Sequence, residues 1–363
     1  MNAINIETQF NRGYQLSTLC ERYKKLKEEK SLRRREMAEA LKISEAELLD
    51  HQCDVKSIRL NQQFGDLIEQ LPTLGYIMSL TRNEHAVHER KGKYDNVSIN
   101  GPMGLVITED RKIDLRILLH RWKHGFAVQE STENGPRYSL QFFDQSGTAI
   151  QKIFLQTESD TDAYIDLVQQ CRAEDQTTPL EFSAIDDASV YVNDKNVDVE
   201  KLTNEWLGMT DVHQFFGILK KHNVSREQAF RLVGDDYAQQ LDPKCIEDLI
   251  THAAKKEVPI MCFVGNRGNI QIHSGVISQI KRMGPWLNVL DSEFNLHLLE
   301  DGISSAWLVR KPGDTGWVTS VEFYDRQGQL VVQFFGVRQE GSAENSHWRD
   351  LAESMLENEQ RVA

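Results

Sequence analysis

The sequence predicts an α+β protein that is built from two similar halves. Residues 139–154 read SLQFFDQSGTAIQKIF, and residues 320–335 read SVEFYDRQGQLVVQFF, 181 positions later. In each half, residues with helical periodicity come first, short strands follow, and a helix closes the half. Helices that are segregated from an antiparallel meander are typical of the α+β class, whereas alternating strands and helices would indicate a parallel sheet.

The repeated segments share five residues in sixteen, where about one identity is expected by chance. The shared residues are Ser139, Phe142, Asp144, Gly147 and Phe154, which recur as Ser320, Phe323, Asp325, Gly328 and Phe335. Because both copies keep these residues, we expect them to serve the fold. Residues that occur in one copy only are the candidates for function.

In the first half, residues 15–50 are predicted to be helical, because apolar residues recur there at helical spacing. Gly, Asn and Asp punctuate the chain from about Gly75 onwards. The predicted strands are Tyr76–Leu80, His85–His88, Gly104–Ile107, Phe126–Glu130 and Ser139–Phe143. The last strand turns at DQSG into Ala149–Phe154, and a helix over Asp160–Arg172 closes the half.

The second half repeats this order. Helices are predicted over roughly residues 198–255, including Asp211–Lys221 and Arg226–Gln240, and a last helix over Ser346–Leu356. Between them lie the predicted strands Pro259–Val264, Asn269–His273, Leu287–Leu290 and Ala306–Arg310, and the hairpin of residues 320–335. The polar segment Glu174–Pro179 predicts a linker, so the two halves are expected at 1–178 and 179–363.

Composition excludes several classes of protein. No window of eighteen apolar residues is present, and the first residues lack the pattern of a signal peptide, so we expect no membrane insertion. The five cysteines are scattered without a CxxC pair, which argues against a disulfide framework and favours a reduced, cytoplasmic protein. The net charge of −13 disfavours sequence-independent binding to nucleic acid.

His213 is the candidate ligand for a metal ion or a haem iron. When Leu26 is aligned with Leu219, Cys20 falls opposite His213, so the second half carries a histidine that the first half lacks. The alternative is an exposed or partly packed histidine that binds nothing.

The surroundings of His213 favour a ligand role. Thr210 or Asp211 is expected to cap the following helix and to place His213 in its first turn. The positive end of the helix dipole disfavours a protonated ring there, and a neutral ring is what a metal needs. Phe215 and Phe216 suit a flat apolar ligand.

The other histidines are weaker candidates. His88 and His273 occur in both copies, which favours a structural role, although either could supply a second ligand. His120 and His124 are spaced four apart on a predicted short helix and could bind zinc, but no third ligand is near them. No GxSxG, P-loop or HExxH motif is present, so hydrolase chemistry has no support.

Several motifs resemble those of the cytoplasmic haem-utilisation family of HemS/ChuS-like haemin-degrading factors. They are MTDVHQFF at 209–216, SREQAF at 225–230, RNEHAVHE at 82–89, DLR at 114–116, GPWLNVLD at 284–291, NLHL at 295–298 and WLVRKP at 307–312. The resemblance runs from about residue 20 to 356. It implies a tandem repeat whose two large antiparallel sheets stack into a saddle with flanking helices, and haem in a cleft between helices and the C-terminal sheet.

The resemblance also implies roles for individual residues. His213 corresponds to the proximal iron ligand, Arg116 to the distal arginine, and Phe263 to an apolar wall residue. The residues that correspond to the propionate contacts and pocket rim are Arg226, Lys311, Gln333 and Arg338. His88 is next in line as an iron ligand.

Comparison of the two copies refines these roles. Arg35 is aligned with Arg226, so this arginine partly serves the fold, whereas Glu130 lies opposite Lys311, which is therefore specific to the second copy. Because Cys20 stands in place of the ligand in the first half, we expect one principal haem per chain.

The resemblance leaves two functions open. In the first, the protein opens the ring of haem b in an oxygenase-like reaction with an external electron donor, releasing iron. In the second, it is a chaperone that takes haem from an ABC importer and passes it to a separate haem oxygenase. A third hypothesis is a haem-independent interaction module. Both a monomer and a dimer are compatible with the sequence.

Overall fold

The computed structural model describes residues 18–30, 32–185, 190–338 and 341–360. The first three residues of the predicted helical segment, 15–17, lie outside these ranges. The described residues form helices followed by an antiparallel meander and a closing helix, twice in succession. The predicted α+β class is therefore confirmed.

The first half contains five α-helices and nine strands among the described residues. The helices are α1 (Thr18–Glu29), α2 (Arg34–Leu41), α3 (Glu45–Asp50), α4 (Phe64–Gln70) and α5 (Thr161–Cys171). The strands are β1 (Lys56–Arg59), β2 (Gly75–Arg82), β3 (Ala86–Lys93), β4 (Val97–Asn100), β5 (Met103–Ile107), β6 (Asp114–Leu118), β7 (His124–Thr132), β8 (Gly135–Phe143) and β9 (Ala149–Ser159).

The second half has the same number of elements in the described ranges. The helices are α6 (Val199–Leu207), α7 (Gln214–His222), α8 (Arg226–Val233), α9 (Cys245–Lys255) and α10 (Ser346–Gln360). The strands are β10 (Ala238–Leu241), β11 (Ile260–Gly265), β12 (Asn269–Gly275), β13 (Ile280–Met283), β14 (Trp286–Leu290), β15 (Phe294–Leu299), β16 (Ser305–Gly313), β17 (Gly316–Tyr324) and β18 (Leu330–Gly336).

The strands form two large antiparallel sheets of nine strands each. One contains the run β1-β7-β8-β9-β2-β3 and the other the run β10-β16-β17-β18-β11-β12, so the same order occurs twice. The ribbons β4-β5-β6 and β13-β14-β15 complete the two sheets. The predicted pair of sheets and the internal duplication are thus both present.

The repeated hairpin confirms that the shared residues serve the fold. Ser139 pairs with Phe154 in β8–β9, and Ser320 pairs with Phe335 in β17–β18. The turn aspartates play the same part, since an oxygen of each accepts backbone N–H groups two and four residues further on. Gly147 and Gly328 have φ of 79° and 71°, a left-handed conformation that glycine adopts without steric cost.

The helix caps correct the predicted alignment of the helices. Ser44 and Ser225 each accept the N–H of the residue three further on and begin α3 and α8. Since these serines are 181 positions apart, as the hairpins are, Arg226 corresponds to Glu45 rather than to Arg35. By the same offset, His213 corresponds to Leu32 and not to Cys20. The predicted alignment was displaced by about three helical turns, a shift that helical periodicity alone tolerates.

The predicted C-terminal end of the helix Arg226–Gln240 is also wrong. Helix α8 stops at Val233, because Gly234 adopts a φ of 89°. Residues Ala238–Leu241 then form the edge strand β10.

The described residues divide into two compact units. Unit 1 takes residues 18–82, 89–185 and 266–271, and unit 2 takes 83–88, 190–265 and 272–360. In unit 2, one face of the sheet packs against α9 and α10, with Phe323, Phe334 and Trp348 in a single buried cluster. The other face packs against α6, α7 and α8 through Trp206 and Phe230.

The structure contradicts the expected absence of disulfides, because Cys20 and Cys53 are bonded to each other. Helices α1, α2 and α3 pack around a small core that contains Tyr23, Met37 and both cysteines, and this packing brings together two residues 33 apart in sequence. Cys171, Cys245 and Cys262 are free and buried.

In the part of the chain that the structure describes, we find no helix with the length and apolar character needed to cross a membrane.

Candidate functional site

His213 is the N-cap residue of α7, one position ahead of the first turn in which it was expected. Its side chain is 86% exposed. Asp211 holds it from one side, since Oδ1 of Asp211 accepts the backbone N–H of His213 at 2.8 Å and lies 2.7 Å from Nδ1 of the ring. These hydrogen bonds, that of the backbone N–H first, lower the pKa of Asp211.

The contact with Asp211 fixes the chemistry of the His213 ring. An ionised carboxylate only accepts hydrogen bonds, so Nδ1 carries the ring proton. The lone pair of the neutral ring then lies on Nε2, on the far side from Asp211. A histidine held in this way by a carboxylate is the usual arrangement of a metal ligand.

An exposed aromatic ring lies next to His213. Phe216 is 74% exposed, and residues three apart on a helix share a face. Phe215, one residue earlier, turns inward and is buried against Trp206 and Phe230. The start of α7 therefore presents an imidazole and an apolar ring together to solvent.

A buried charge cluster lies beneath α7 and α8. Its centre is Glu322 on β17, which is 0% exposed. Oε1 of Glu322 accepts a hydrogen bond from Nζ of Lys311 at 2.7 Å, and Oε2 lies 3.2 Å from Nη2 of Arg226. The hydroxyl groups of Ser320 and Tyr324 donate to the same carboxylate.

The cluster contains two cations, Arg226 and Lys311, and one carboxylate, that of Glu322. Burial by itself would raise the pKa of Glu322, but Arg226 and Lys311 lower it to about 2. Burial lowers the pKa of Lys311, and Glu322 opposes that shift. The buried atom Nε of Arg226 has no hydrogen-bond partner among the described residues. One positive charge and one donor are thus left for an anionic group.

Aromatic contacts connect this cluster to the start of α7. The Phe215 ring lies 4.7 Å from Nζ of Lys311 and 5.3 Å from the guanidinium carbon of Arg226. Cations over aromatic faces are stabilised by the ring quadrupole. Because Phe215 follows His213 by two residues, the cluster and the candidate ligand are parts of one packed arrangement.

The remaining site residues of unit 2 lie around the same arrangement. Phe263 pairs with Gln333 across β11 and β18, and Gln333 pairs with Glu322 across β18 and β17. Directly opposed residues of antiparallel strands point to the same face, so all three side chains share the face that α7 and α8 cover. Arg338 follows β18, and its charge contributes to lowering the pKa of Asp211.

Two of the predicted residues are on other strands. Arg116 is on β6 in unit 1 and is ion-paired with Asp114. His88 belongs to unit 2, where it is fully buried with its ring 4.9 Å from that of Phe294. Lys311 also differs from an expected rim residue, because it is buried and bonded to Glu322.

The structure corrects two statements about the weaker histidines. His120 lies on a 3-10 turn and His124 begins β7, so the two do not share a helix. Asn83 and Asn266 make equivalent turns, each accepting the N–H groups two and three residues further on, and this offset places His88 opposite Gln271 rather than His273. No group of three or more His, Cys, Asp or Glu residues that could hold a metal ion occurs within the described ranges.

Sequence reasoning missed Glu322 and Asp211. A signal for Glu322 existed, because its counterpart in the first half is Gln141, just as the counterpart of Lys311 is Glu130. A buried carboxylate that appears together with a new lysine indicates an ion pair. Such a pair becomes visible only when the strand register is known.

Comparison with known proteins identifies the family. A family model described as the haemin-degrading HemS/ChuX domain matches residues 42–171 and again residues 223–355, which is more than half of the chain. The chain belongs to the HemS family. The two matches confirm the internal duplication at the level of the family domain.

Relatives in the HemS family cover nearly the whole chain. The hemin transport protein HemS of Yersinia enterocolitica is 39% identical over 320 residues, 87% of this chain and 90% of its own length. The structure of holo-PhuS, a heme-binding protein from Pseudomonas aeruginosa, is 42% identical with a TM-score of 0.90, covering 94% of this chain and 99% of PhuS.

A third relative carries a different description. The structure of ChuS, an Escherichia coli heme oxygenase, is 36% identical with a TM-score of 0.84, and the match covers 94% of this chain and all of ChuS. The relatives of this chain are therefore described as a hemin transport protein, a heme-binding protein and a heme oxygenase.

Proposed function

We propose that this chain binds haem b with His213 as the iron ligand. The observation that carries the proposal is the exposed imidazole of His213, whose Nδ1 is held by Asp211 and whose Nε2 is left for iron. Neutral imidazole is a common axial ligand of haem. The exposed ring of Phe216 beside it suits the apolar face of the macrocycle.

The buried charge cluster fits the carboxylates of haem. Arg226 keeps a buried Nε without a partner among the described residues, and one positive charge of the cluster is uncompensated. A charge-assisted hydrogen bond to a propionate would contribute about 1.5–3 kcal/mol. We assign propionate contacts to Arg226 and Arg338 and the pocket rim to Gln333, and Phe263 to the apolar wall. Lys311 supports Arg226 through Glu322.

Within this proposal the chain degrades haem. Haem would be both the redox cofactor and the substrate, with dioxygen as the oxidant and an external donor as the source of electrons, and opening of the ring would release iron. His213 holds the iron, and Arg116 acts on the distal side. Because a guanidinium stays protonated, Arg116 donates hydrogen bonds and orients a water molecule rather than transferring its own proton. The description of ChuS as a heme oxygenase supports this assignment.

The second candidate function is transfer of haem without degradation. The chain would take haem from an ABC importer and pass it to a separate oxygenase. The names of the transport protein HemS and the heme-binding protein PhuS favour it. Both functions suit a cytoplasmic protein, and both use the same His213 site.

Turnover of the haem complex separates the two functions. The aerobic complex would be mixed with a reductant and catalase, and the visible spectrum and products would be followed. Degradation predicts loss of the haem band and a linear tetrapyrrole with catalase present, and Arg116→Ala should slow it. Loss of the band only without catalase would indicate peroxide damage and favour transfer.

We further propose one principal haem per chain. The positions of unit 1 that correspond to His213, Arg226, Lys311 and Glu322 are Leu32, Glu45, Glu130 and Gln141. Glu45 is ion-paired with Lys152, and Glu130 with Arg34 and Arg137. The first copy thus lacks the histidine ligand. At two of the four positions, Glu45 and Glu130, it carries a negative charge where the second copy carries a positive one.

A further inference from the structure

A cleft lies wholly within unit 1, and Cys20 of the disulfide is one of its lining residues. The cleft has a volume of about 600 Å³ and is bounded by α1, the segment after α3, and the ends of β1, β7 and β8. Small-molecule sites commonly have volumes of about 300–1,000 Å³. Cys20 lines the cleft, and the disulfide joins it to Cys53.

Of the two bonded cysteines, Cys20 lines the cleft and Cys53 does not. Both are buried, with Cys20 4% exposed and Cys53 1% exposed. Thiol–disulfide exchange requires a thiolate to reach one sulfur and displace the other. A thiolate that entered the cleft would therefore meet Cys20, and Cys53 would be the leaving group.

The charge of the cleft favours an anion. Lys24 and Lys56 line it. Among the described residues, Asp54 is the one acidic residue in the lining, and it is ion-paired with Lys27, which is outside the lining. In a chain with a net charge of −13, a cleft with surplus positive charge attracts anionic molecules.

Two side-chain amides in the lining each have a buried atom without a hydrogen bond among the described residues. Nε2 of Gln52 and Oε1 of Gln129 are buried, and neither has a hydrogen-bond partner among the described residues. Buried polar atoms in folded proteins are nearly always hydrogen-bonded. One amide donor and one amide acceptor on the same wall fit a ligand that carries both carboxylates and peptide groups.

We propose that this cleft binds a small anionic peptide thiol, with the chemistry of glutathione, and that the Cys20–Cys53 disulfide exchanges with it. The thiolate bonds to Sγ of Cys20, the bond between the two cysteines breaks, and Cys53 leaves as a thiolate that takes up a proton. A second thiol then attacks the small-molecule sulfur of the mixed disulfide and releases Cys20 as a thiol. The chain gains two electrons and two protons, and two small thiols become one disulfide. This site is independent of the proposed haem site.

The first test uses the wild-type chain. It would be incubated with reduced glutathione at neutral pH, quenched with acid, and its thiols located by alkylation and peptide mass spectrometry. We expect a mixed disulfide on Cys20, followed by alkylation of Cys20 and Cys53, while the three buried cysteines stay unlabelled. A mixed disulfide on Cys53, or no reaction at either residue in the folded chain, would overturn the proposal.

The second test uses charge as the variable. Cys53→Ser leaves Cys20 as a thiol that should react with oxidised glutathione, and also with the neutral bis(2-hydroxyethyl) disulfide. Adding Lys24→Gln and Lys56→Gln should slow the first reaction about tenfold at low ionic strength and leave the second unchanged. An equal effect on both reagents, or on neither, would contradict an anion-binding cleft. If these variants expose the three buried cysteines to label, the wild-type measurement decides.

Discussion

At the scale of single residues, the pair of Asp211 and His213 is the part of the candidate site with the most specific geometry. One carboxylate oxygen of Asp211 accepts the backbone N–H of His213, the N-cap residue of α7, and also contacts the ring of His213. Asp211 thus fixes the turn before α7 and sets the ring tautomer. A carboxylate behind a ligating histidine also raises the basicity of the other nitrogen.

Replacing Asp211 with Asn should weaken haem binding. The amide is isosteric, but it is uncharged and supports Nδ1–H less well, so we expect the affinity for haemin to fall by about 10–100-fold. Titration of haemin followed in the Soret band measures the change. Asp235→Asn, an exposed carboxylate of the same unit, is the matched control and should bind as wild type does. Equal affinity of the Asp211 variant would show that the contact does not orient the ligand.

His124 makes unit 1 sensitive to acid. Burial lowers the pKa of His124 to about 4 from an ordinary value of 6.5. Between pH 6.5 and 4 the unfolded chain therefore binds a proton that the folded chain does not bind, and stability falls as the pH is lowered through this window.

Urea unfolding at pH 7 and pH 5 tests this effect, with an expected loss of about 1–2 kcal/mol from His124. The variant His124→Asn should lose less stability than wild type between these two pH values. An exposed histidine, in His120→Asn, serves as the control and should leave the difference unchanged. If the His124 variant lost as much stability between pH 7 and pH 5 as wild type does, the assignment of this loss to His124 would be contradicted.

At the scale of elements, α7 and α8 are held on the sheet by a buried ion cluster rather than by apolar packing alone. Lys311 lies under the rings of Phe215, Phe230 and Trp206 while it is bonded to Glu322. A buried ion pair contributes little net stability against an apolar alternative, yet removal of one partner leaves an uncompensated charge. The cluster therefore fixes the position of Arg226 more than it stabilises the fold.

Glu322→Gln should destabilise unit 2 by about 3–5 kcal/mol, because two cations would remain without their carboxylate. Denaturant unfolding followed by tryptophan fluorescence measures the loss. The matched control is Glu353→Gln, which removes a partly exposed ion pair with Arg310 and should cost about 1 kcal/mol or less. A loss of that small size in the Glu322 variant would mean that the carboxylate is not the centre of the cluster.

At the scale of the whole molecule, the structural features that depend on local sequence patterns could be predicted from the sequence. The hairpins, their turn glycines and the closing helices follow from alternation and turn chemistry, and all are present in the structure. The helix register does not follow from periodicity, because a shift of whole turns keeps the same face buried. The caps at Ser44 and Ser225 fix that register.

Other features depend on contacts that are distant in sequence. The bond between Cys20 and Cys53 arises from the packing of α1 against α2 and α3, which no cysteine spacing indicates. Glu322 becomes part of a site only when β16, β17 and α8 meet. His213 was singled out because the second copy carries a histidine that the first lacks, and then by its motif, whereas its contact with Asp211 required the geometry of the loop.

The duplication allows the proposed iron ligand to be compared between the two halves. Both copies keep the same strand order and the same capping serines, so selection for folding acts on both alike. At the corresponding described positions, only the second copy combines an exposed histidine with two cations around one buried carboxylate. The central claim is therefore that one residue of unit 2, His213, binds the iron of one haem.

A haemin titration of wild type beside His213→Ala tests this claim most directly. His347→Ala, which removes another exposed histidine of unit 2, is the control. We predict one haem per chain for wild type and for the control, and for His213→Ala a shifted Soret band with an affinity at least about tenfold lower. An unchanged spectrum and affinity in His213→Ala would contradict the account and direct attention to His88.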